Sequence, residues 1–553
     1  MPGPISRRRM MGYGLGAAGA TLAAGVLEGQ SAGPVSAQAW PPARRSARRP
    51  RMLPQPRVQR SSHGVLDVRL TAVPAVVDMG APELVKTYTW NKVVPGYTWE
   101  INPGDTLKVH LRNRLPYMRP PKHMVMDRPH EWTHTNLHTH GLHVSPSGNA
   151  DNVFIDIPPG EDHRFEIPLP EDHPGGLSWY HPHRHGGVTQ QLRAGMAGML
   201  IVRGEIDRVR EVRAARERVM VLQSIELGDD YQLLDPIPFP KPDQAFFPRT
   251  HALYTVNGVL NPHLTMYPGE VQRWRLLNAA EGNFMSLHLK KHDFHVLAWD
   301  GLTLAEPDTT SVVMMSAGNR VDMLVRAGRP GTYDLVLTPG SSQDPNIPGM
   351  PESAEGSPGG REMPMPGFPP MDEELKPRTI LTVHVLGHGR PMGLPDSLPA
   401  YDPAILPIAR RRHFSFTVQR KPDNTFLNFG VDGHAYHPAR PPYQVPLGTA
   451  EEWTLVNAFD TKLMNHAHVF HIHTNPFKIT KINGRTLDKP LWRDTFVLPK
   501  RSGDSLTFES NFVDYAGKFV QHCHMVAHED LGMMSAVEVI CPPGGGSVGP
   551  AAG

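Results

Sequence analysis

Four histidine-rich clusters stand out in the chain: HTHGLH (His138–His143), WYHPHRHG (Trp179–Gly186), HVFHIH (His468–His473) and HCHMVAHEDLGMM (His522–Met534). Neutral imidazole is the commonest metal ligand, yet one His-x-His on a solvated strand means little. Four such pairs, two towards each end of the chain, carry far more. Side chains i and i+2 of a strand share a face, so each pair presents two imidazoles in one direction. In His522-Cys523-His524 the histidines point one way and the cysteine the other. A metal held by Cys523 would then stand one residue's covalent path from metals held by its neighbours, which is a short route for electrons.

The loop after the cysteine completes one site. His528 follows Cys523 by five residues and Met533 by ten. With His468 they supply two imidazoles, a thiolate and a thioether, the ligand set of a blue copper electron-transfer centre. Zinc suits this set less well, since structural zinc sites are built from cysteine and histidine. Eight histidines remain: His138, His140, His181 and His183 from the first cluster pair, and His471, His473, His522 and His524 from the second. Their shared site should straddle an interface between two parts of the chain, and all-imidazole ligation suits copper. His143, His185 and His466 lie beside these residues but off their register, and are read as supporting or surface groups. Cys541 reads as an unreactive thiol.

A repeat suggests what positions the clusters. NPGDTLKVHLRN (Asn102–Asn113), YPGEVQRWRLLN (Tyr267–Asn278) and PLGTAEEWTLVN (Pro446–Asn457) each place a glycine nine residues before an asparagine, with alternating apolar positions between. Such alternation predicts a half-buried strand entered from a tight turn. The spacing is domain-sized, and predicts three β-sandwich domains at 63–205, 206–392 and 405–543. In a second register, His181 lies five residues after Gly176 and His522 five after Gly517, but Val336 lies five after Gly331. Lys290 stands where His473 stands. The middle domain therefore reads as a copy without metal ligands. Residues 341–378, with Met350, Met363, Met365 and Met371 among prolines and glycines, read as a mobile loop.

Composition agrees. Of 553 residues, 58 are proline and 51 glycine, too many for a helical protein and suited to short strands joined by turns. Thirty histidines and 25 methionines supply copper-binding side chains, and two cysteines exclude a disulfide framework. Setting aside ten arginines and one glutamate in residues 1–62 leaves 46 bases against 53 acids, which argues against nucleic acid as a partner. Residues 40–62, rich in arginine and proline, read as a solvated linker, and 544–553 as a disordered tail. The twin arginine Arg7-Arg8, an uncharged stretch to Leu27, and small residues at Ala37 and Ala39 predict a twin-arginine export signal over 1–39. The stretch is too weakly apolar for a stable span, so no membrane span is expected in the mature form, which would be periplasmic or secreted.

At these four clusters the chain resembles the multicopper oxidases: laccases, bacterial cuprous oxidases and spore-coat laccases. The resemblance covers about residues 63–543 and implies an all-β protein of three consecutive cupredoxin-like Greek-key β-sandwich domains. It implies four copper ions: type 1 copper on His468, Cys523, His528 and Met533; type 2 on His138 and His471; and a type 3 pair on His140, His181, His183, His473, His522 and His524. Thr139 in HTHG replaces the family's usual tryptophan without altering the ligands. Asn152 follows Asp151 where the family tends to have glycine, which weakens Asp151 as an acid near the cluster. The implied reaction takes single electrons from a substrate near the edge of His468 and reduces dioxygen to water. Glu529 is the better proton-relaying carboxylate and Asp151 the weaker. The reducing substrate would be a phenol or aromatic amine. The alternative is Cu(I), which the methionines of 341–378 and the group Met118, His123, Met124, Met126 favour. A non-catalytic copper-binding relative fits less well, since all twelve ligand positions are filled.

Overall fold

The computed structural model describes residues 50–119, 125–238, 246–247, 251–339, 376–420, 427–459 and 467–541. The expected signal segment 1–39, the start of the linker, most of the methionine loop, His123, Met124, His466 and the tail 544–553 lie outside them. Among the described residues the chain is almost wholly β, arranged in six sheets that pair into three cupredoxin-like sandwiches. Each sandwich has its own apolar core, with Trp90 and Trp99 in the first, Trp274 in the second and Trp453 in the third.

The repeated Gly…Asn segment is the organising strand of each sandwich. It forms Thr106–Asn113, Val271–Asn278 and Thr449–Phe459. Each runs parallel to the first long strand of its sandwich (Val65–Val77, Arg216–Leu227, Ile408–Arg420) and antiparallel to a later one. The entry glycines Gly104, Gly269 and Gly448 have φ of 82°, 77° and 82°, where a β-carbon is costly. The repeat's asparagines tie down neighbouring loops: Asn113 Nδ2 donates to the carbonyls of Thr133 and Ile157, Asn278 Nδ2 to those of Asn283 and Met315, and Asn457 Nδ2 to that of Pro499. The first strand alternates in burial as the pattern predicts. Val271–Asn278 does not; it is buried throughout, because Arg273 and Arg275 on its outer face are covered by Asp207, Glu217 and Asp322.

The metal-ligand pairs lie in the second sheet of the outer sandwiches, at matching places. His138–His140 pairs with Gly176–His181, setting His138 opposite His181. His468–Ile472 pairs with Gly517–Cys523, setting His471 opposite His522. In the middle sandwich the corresponding strands, Met285–Leu289 and Gly331–Pro339, set His288 opposite Val336. His288 is exposed, with Nδ1 3.0 Å from the Ser311 carbonyl.

The expectation of a solvated linker over 40–62 is corrected from residue 50 onward. Val58–Arg60 adds a parallel strand beside Thr98–Ile101. Leu53 is buried, and its N–H donates to the His263 carbonyl of the middle sandwich. Arg51 pairs with Asp78 at 2.6 Å. The segment has few apolar residues, but its backbone supplies what its composition lacks.

Replacing Asn113 by alanine is expected to leave two loop carbonyls short of a donor. The cost should be about 1–3 kcal/mol per unsatisfied buried group. A lowered thermal midpoint with unchanged metal content would confirm it; an unchanged midpoint would not.

Candidate metal centre

The single-cysteine site forms where a strand, a second strand and a short helix meet. His468 begins its strand, Cys523 ends the strand Gly517–Cys523, and His528 sits in the helix Val526–Asp530. The Cys523 Sγ lies 3.7 Å from Nδ1 of both histidines, and those nitrogens lie 3.2 Å apart. An ion about 2.3 Å from sulfur and about 2.0 Å from nitrogen spans about 3.7 Å between them at a trigonal angle. The triangle therefore suits a shared ion. Burial raises the Cys523 thiol to about 12, so it stays protonated until a cation displaces the proton. Phe429 stacks on His528 at 4.5 Å and Phe416 stands edge-on to His468.

The loop after the helix turns back on the cysteine. Met533 N–H donates to the His528 carbonyl, and Cys523 N–H to the Met533 carbonyl at 3.0 Å. Met533 is fully buried in the apolar cluster that holds Cys523, whereas Met534 packs into a separate cluster with Val153, Tyr436 and Val520. The edge of His468, expected to meet substrate, is fully buried.

The other eight histidines converge between the first and third sandwiches. His138 stacks on His473 at 3.7 Å and His140 on His471 at 3.8 Å. Three trios have nitrogens close enough to share an ion: His138, His140 and His471; His140, His181 and His524; and His183, His473 and His522. All eight rings are buried. Burial lowers the pKa of each, to about 3 in His471 and about 4 in His183 and His522, so they are neutral and carry lone pairs. In several rings one nitrogen is tied to protein and the other left over. His138 Nδ1 meets Asp151, His181 Nδ1 the Pro182 carbonyl and His471 Nδ1 the Asp494 carbonyl. Nε2 of each of these, Nδ1 of His140 and His473, and both nitrogens of His524 are buried without a hydrogen-bond partner. Unpartnered ring nitrogens on this scale fit a set of metal ligands.

Both sequence-predicted carboxylates lie against site histidines. Asp151 accepts from Thr139 N–H and lies 2.9 Å from His138 Nδ1; burial raises its pKa to about 6. Glu529 is fully buried, 3.0 Å from His522 Nδ1 and 3.4 Å from His183 Nδ1; burial raises it to about 7. Sequence reasoning missed three further residues. Asp530 accepts from the N–H groups of Gly186 and Thr189, and burial, with the neighbouring Glu529, raises it to about 7. Its place beside Glu529 in HEDLGMM was the available signal. Asp494 and Arg320 had none. Asp494 lies 3.3 Å from His140 Nε2, and the buried Arg320 guanidinium binds its carboxylate. Arg320 comes from the middle sandwich, and also donates to the Leu177 carbonyl of the first.

The chain belongs to the multicopper oxidases: family models described as multicopper oxidase match residues 130–206, 222–350 and 407–541, more than half of its length. It is therefore an oxidoreductase of a copper-binding, oxygen-using family. Among its relatives are the multicopper oxidase MmcO of Mycobacterium tuberculosis, 24% identical over 97% of both chains, and a laccase of Haloferax volcanii, 24% identical over 82% of this chain and 78% of the relative. A multicopper oxidase structure from Campylobacter jejuni, titled a metallo-oxidase, superposes with TM-score 0.67 at 20% identity, covering 90% of this chain and 99% of that one.

Two outcomes are expected. Arg320→Met leaves Asp494 and Asp300 buried without their cation, and should destabilise the protein by about 3–5 kcal/mol; an unchanged denaturation midpoint would refute the pairing. The second concerns pH in the metal-free protein. Buried histidines with lowered pKa take protons first when unfolded, so the stability present at pH 7 is lost as pH falls from about 6.5 towards 4. Asp151, Asp300, Glu529 and Asp530, raised to about 6–7, act in the opposite direction over the same range. The eight site histidines outnumber them, so the urea midpoint should fall on acidification from pH 7 to 4.5. A rising midpoint would show that the carboxyls dominate.

Proposed function

We propose that the protein oxidises a small reducing substrate, a phenol or aromatic amine, one electron at a time and passes the electrons to dioxygen, which becomes water. The observation that supports this best is the Cys523 triangle standing one residue from two histidine trios. When bound, copper supplies the one-electron redox chemistry at both places. His468, Cys523, His528 and Met533 would be the residues to hold type 1 copper. His138 and His471 would hold type 2, and His140, His181 and His524 with His183, His473 and His522 the type 3 pair, making four ions in all.

The chain's own contribution is positioning, exclusion of water and proton supply. Phe416 and Phe429 shield the type 1 residues from solvent. Cys523 is bonded through backbone to His522 and His524, which belong to different trios, so the covalent path forks to both. Reduction of dioxygen consumes protons in a site closed to water. Glu529, near neutrality in pKa and against His183 and His522, is placed to hold and release one, and Asp151 to do so beside His138.

Cys523→Ser is expected to abolish the intense blue absorption and all turnover in oxygen-uptake assays while the eight-histidine site keeps its copper. A blue, active variant would refute the type 1 assignment.

The second reading, a cuprous oxidase in the exported compartment, is supported by the methionines of 341–378. Excising residues 341–375 in favour of a short turn leaves both flanking strands whole. Laccase-like function predicts that Cu(I) and phenol oxidation then change together or not at all. A selective loss of Cu(I) oxidation would favour the second reading.

A further inference from the structure

Two more buried histidines stand apart from the twelve residues assigned above. His130 is 3% exposed and His185 6%. His130 Nδ1–H donates to the Arg128 carbonyl at 2.8 Å, and His185 Nε2–H to the Met126 carbonyl at 2.7 Å. A carbonyl oxygen has no proton to give, so these bonds fix both tautomers. The remaining nitrogens, His130 Nε2 and His185 Nδ1, carry lone pairs. Both atoms are buried and lack a hydrogen-bond partner. Two neighbouring buried acceptors with no donor call for an explanation.

Their spacing resembles that of the ligand rings. The two rings stand edge to face with centroids 5.4 Å apart. Rings that share a trio stand between 3.8 Å (His140 and His471) and 5.9 Å (His140 and His181) apart, and 5.4 Å falls within that range. The backbone is adapted to bring His130 in: its N–H donates to the Gly186 carbonyl at 3.0 Å, and a β-carbon on Gly186 would fall 2.4 Å from the His130 ring. Met126 packs, half-buried, against the cluster of Tyr436 and Met534, and the Tyr436 ring meets His185 at 4.8 Å. The charge of the intervening Arg184 is matched by Glu131 at 2.7 Å and Asp156 at 3.0 Å.

We infer that His130, His185 and Met126 form a further binding site for one soft monovalent ion, Cu(I). Two neutral imidazoles and a thioether bring no negative charge, and thioethers select Cu(I) over hard or divalent ions. Tyr436 N–H donates to the Gly532 carbonyl, one residue before Met533, so the site lies beside the loop that carries Met533. It shares no residue with the four groups above, and its failure would leave them standing.

The test is uptake of Ag(I), a stand-in for Cu(I) without redox chemistry, by the copper-loaded full chain. It is run in a Cys541→Ser background, because the exposed Cys541 thiol binds Ag(I) by itself. Titration calorimetry is expected to find one equivalent more than in the His130→Gln/His185→Gln variant. Met126→Leu should weaken that equivalent at least tenfold, with the blue absorption unchanged throughout. Equal uptake with and without the two imidazoles, or full affinity in Met126→Leu, overturns the site and leaves the rings as caps on two carbonyls. If the double variant does not fold, Met126→Leu, which keeps its backbone carbonyl, decides alone.

Discussion

The structure depends on packing eight imidazole rings, closed off from water, across the junction of two sandwiches. A buried nitrogen lone pair without a donor is costly. The fold accepts that cost many times within a few ångströms, and bound ions would offset it together. Metal binding here would then add directly to folding free energy. The two ring stacks, His138 on His473 and His140 on His471, show how the strands share the load: each outer sandwich supplies both members of a His-x-His pair, and the pairs interleave.

The middle sandwich has no ligand pair at the matching strand positions, yet the site is not independent of it. Arg320 reaches from it to the Leu177 carbonyl of the first sandwich and the Asp494 carboxylate of the third. Gly318, at φ 85°, leaves only enough room for the His524 ring, which a β-carbon would approach to 3.0 Å. The sandwich without a ligand pair at these strand positions has become a tie between the two that have one.

Much of this was legible in the sequence. The twelve ligand candidates announce themselves because strand geometry demands i, i+2 spacing and because the cysteine loop has fixed intervals. The fold class followed from the Gly…Asn repeat, whose asparagine proved to be a tie between strand and loop. Arg320 and Asp494 were hidden, since each acts by tertiary contact across sandwiches and neither sits in a periodic pattern of its own; Asp530 showed itself only as the neighbour of Glu529. His185 was legible only as a histidine beside ligands, and His130 not at all; their tautomers, and so their spare lone pairs, are set by carbonyls that no pattern announces. The segment from residue 50 misled because its arginines and prolines read as a linker, while its order comes from backbone hydrogen bonds that composition does not record.

That segment also works as a strap. It is hydrogen-bonded to the middle sandwich at His263 and, a few residues on, runs as an edge strand along the first at Thr98–Ile101. A chain shortened to the start of the first long strand would still hold every ligand, yet would lose a clasp between two sandwiches and expose a raw sheet edge to other molecules. The practical starting point for a trimmed version of this protein is therefore upstream of Arg51, well ahead of where the first sandwich begins.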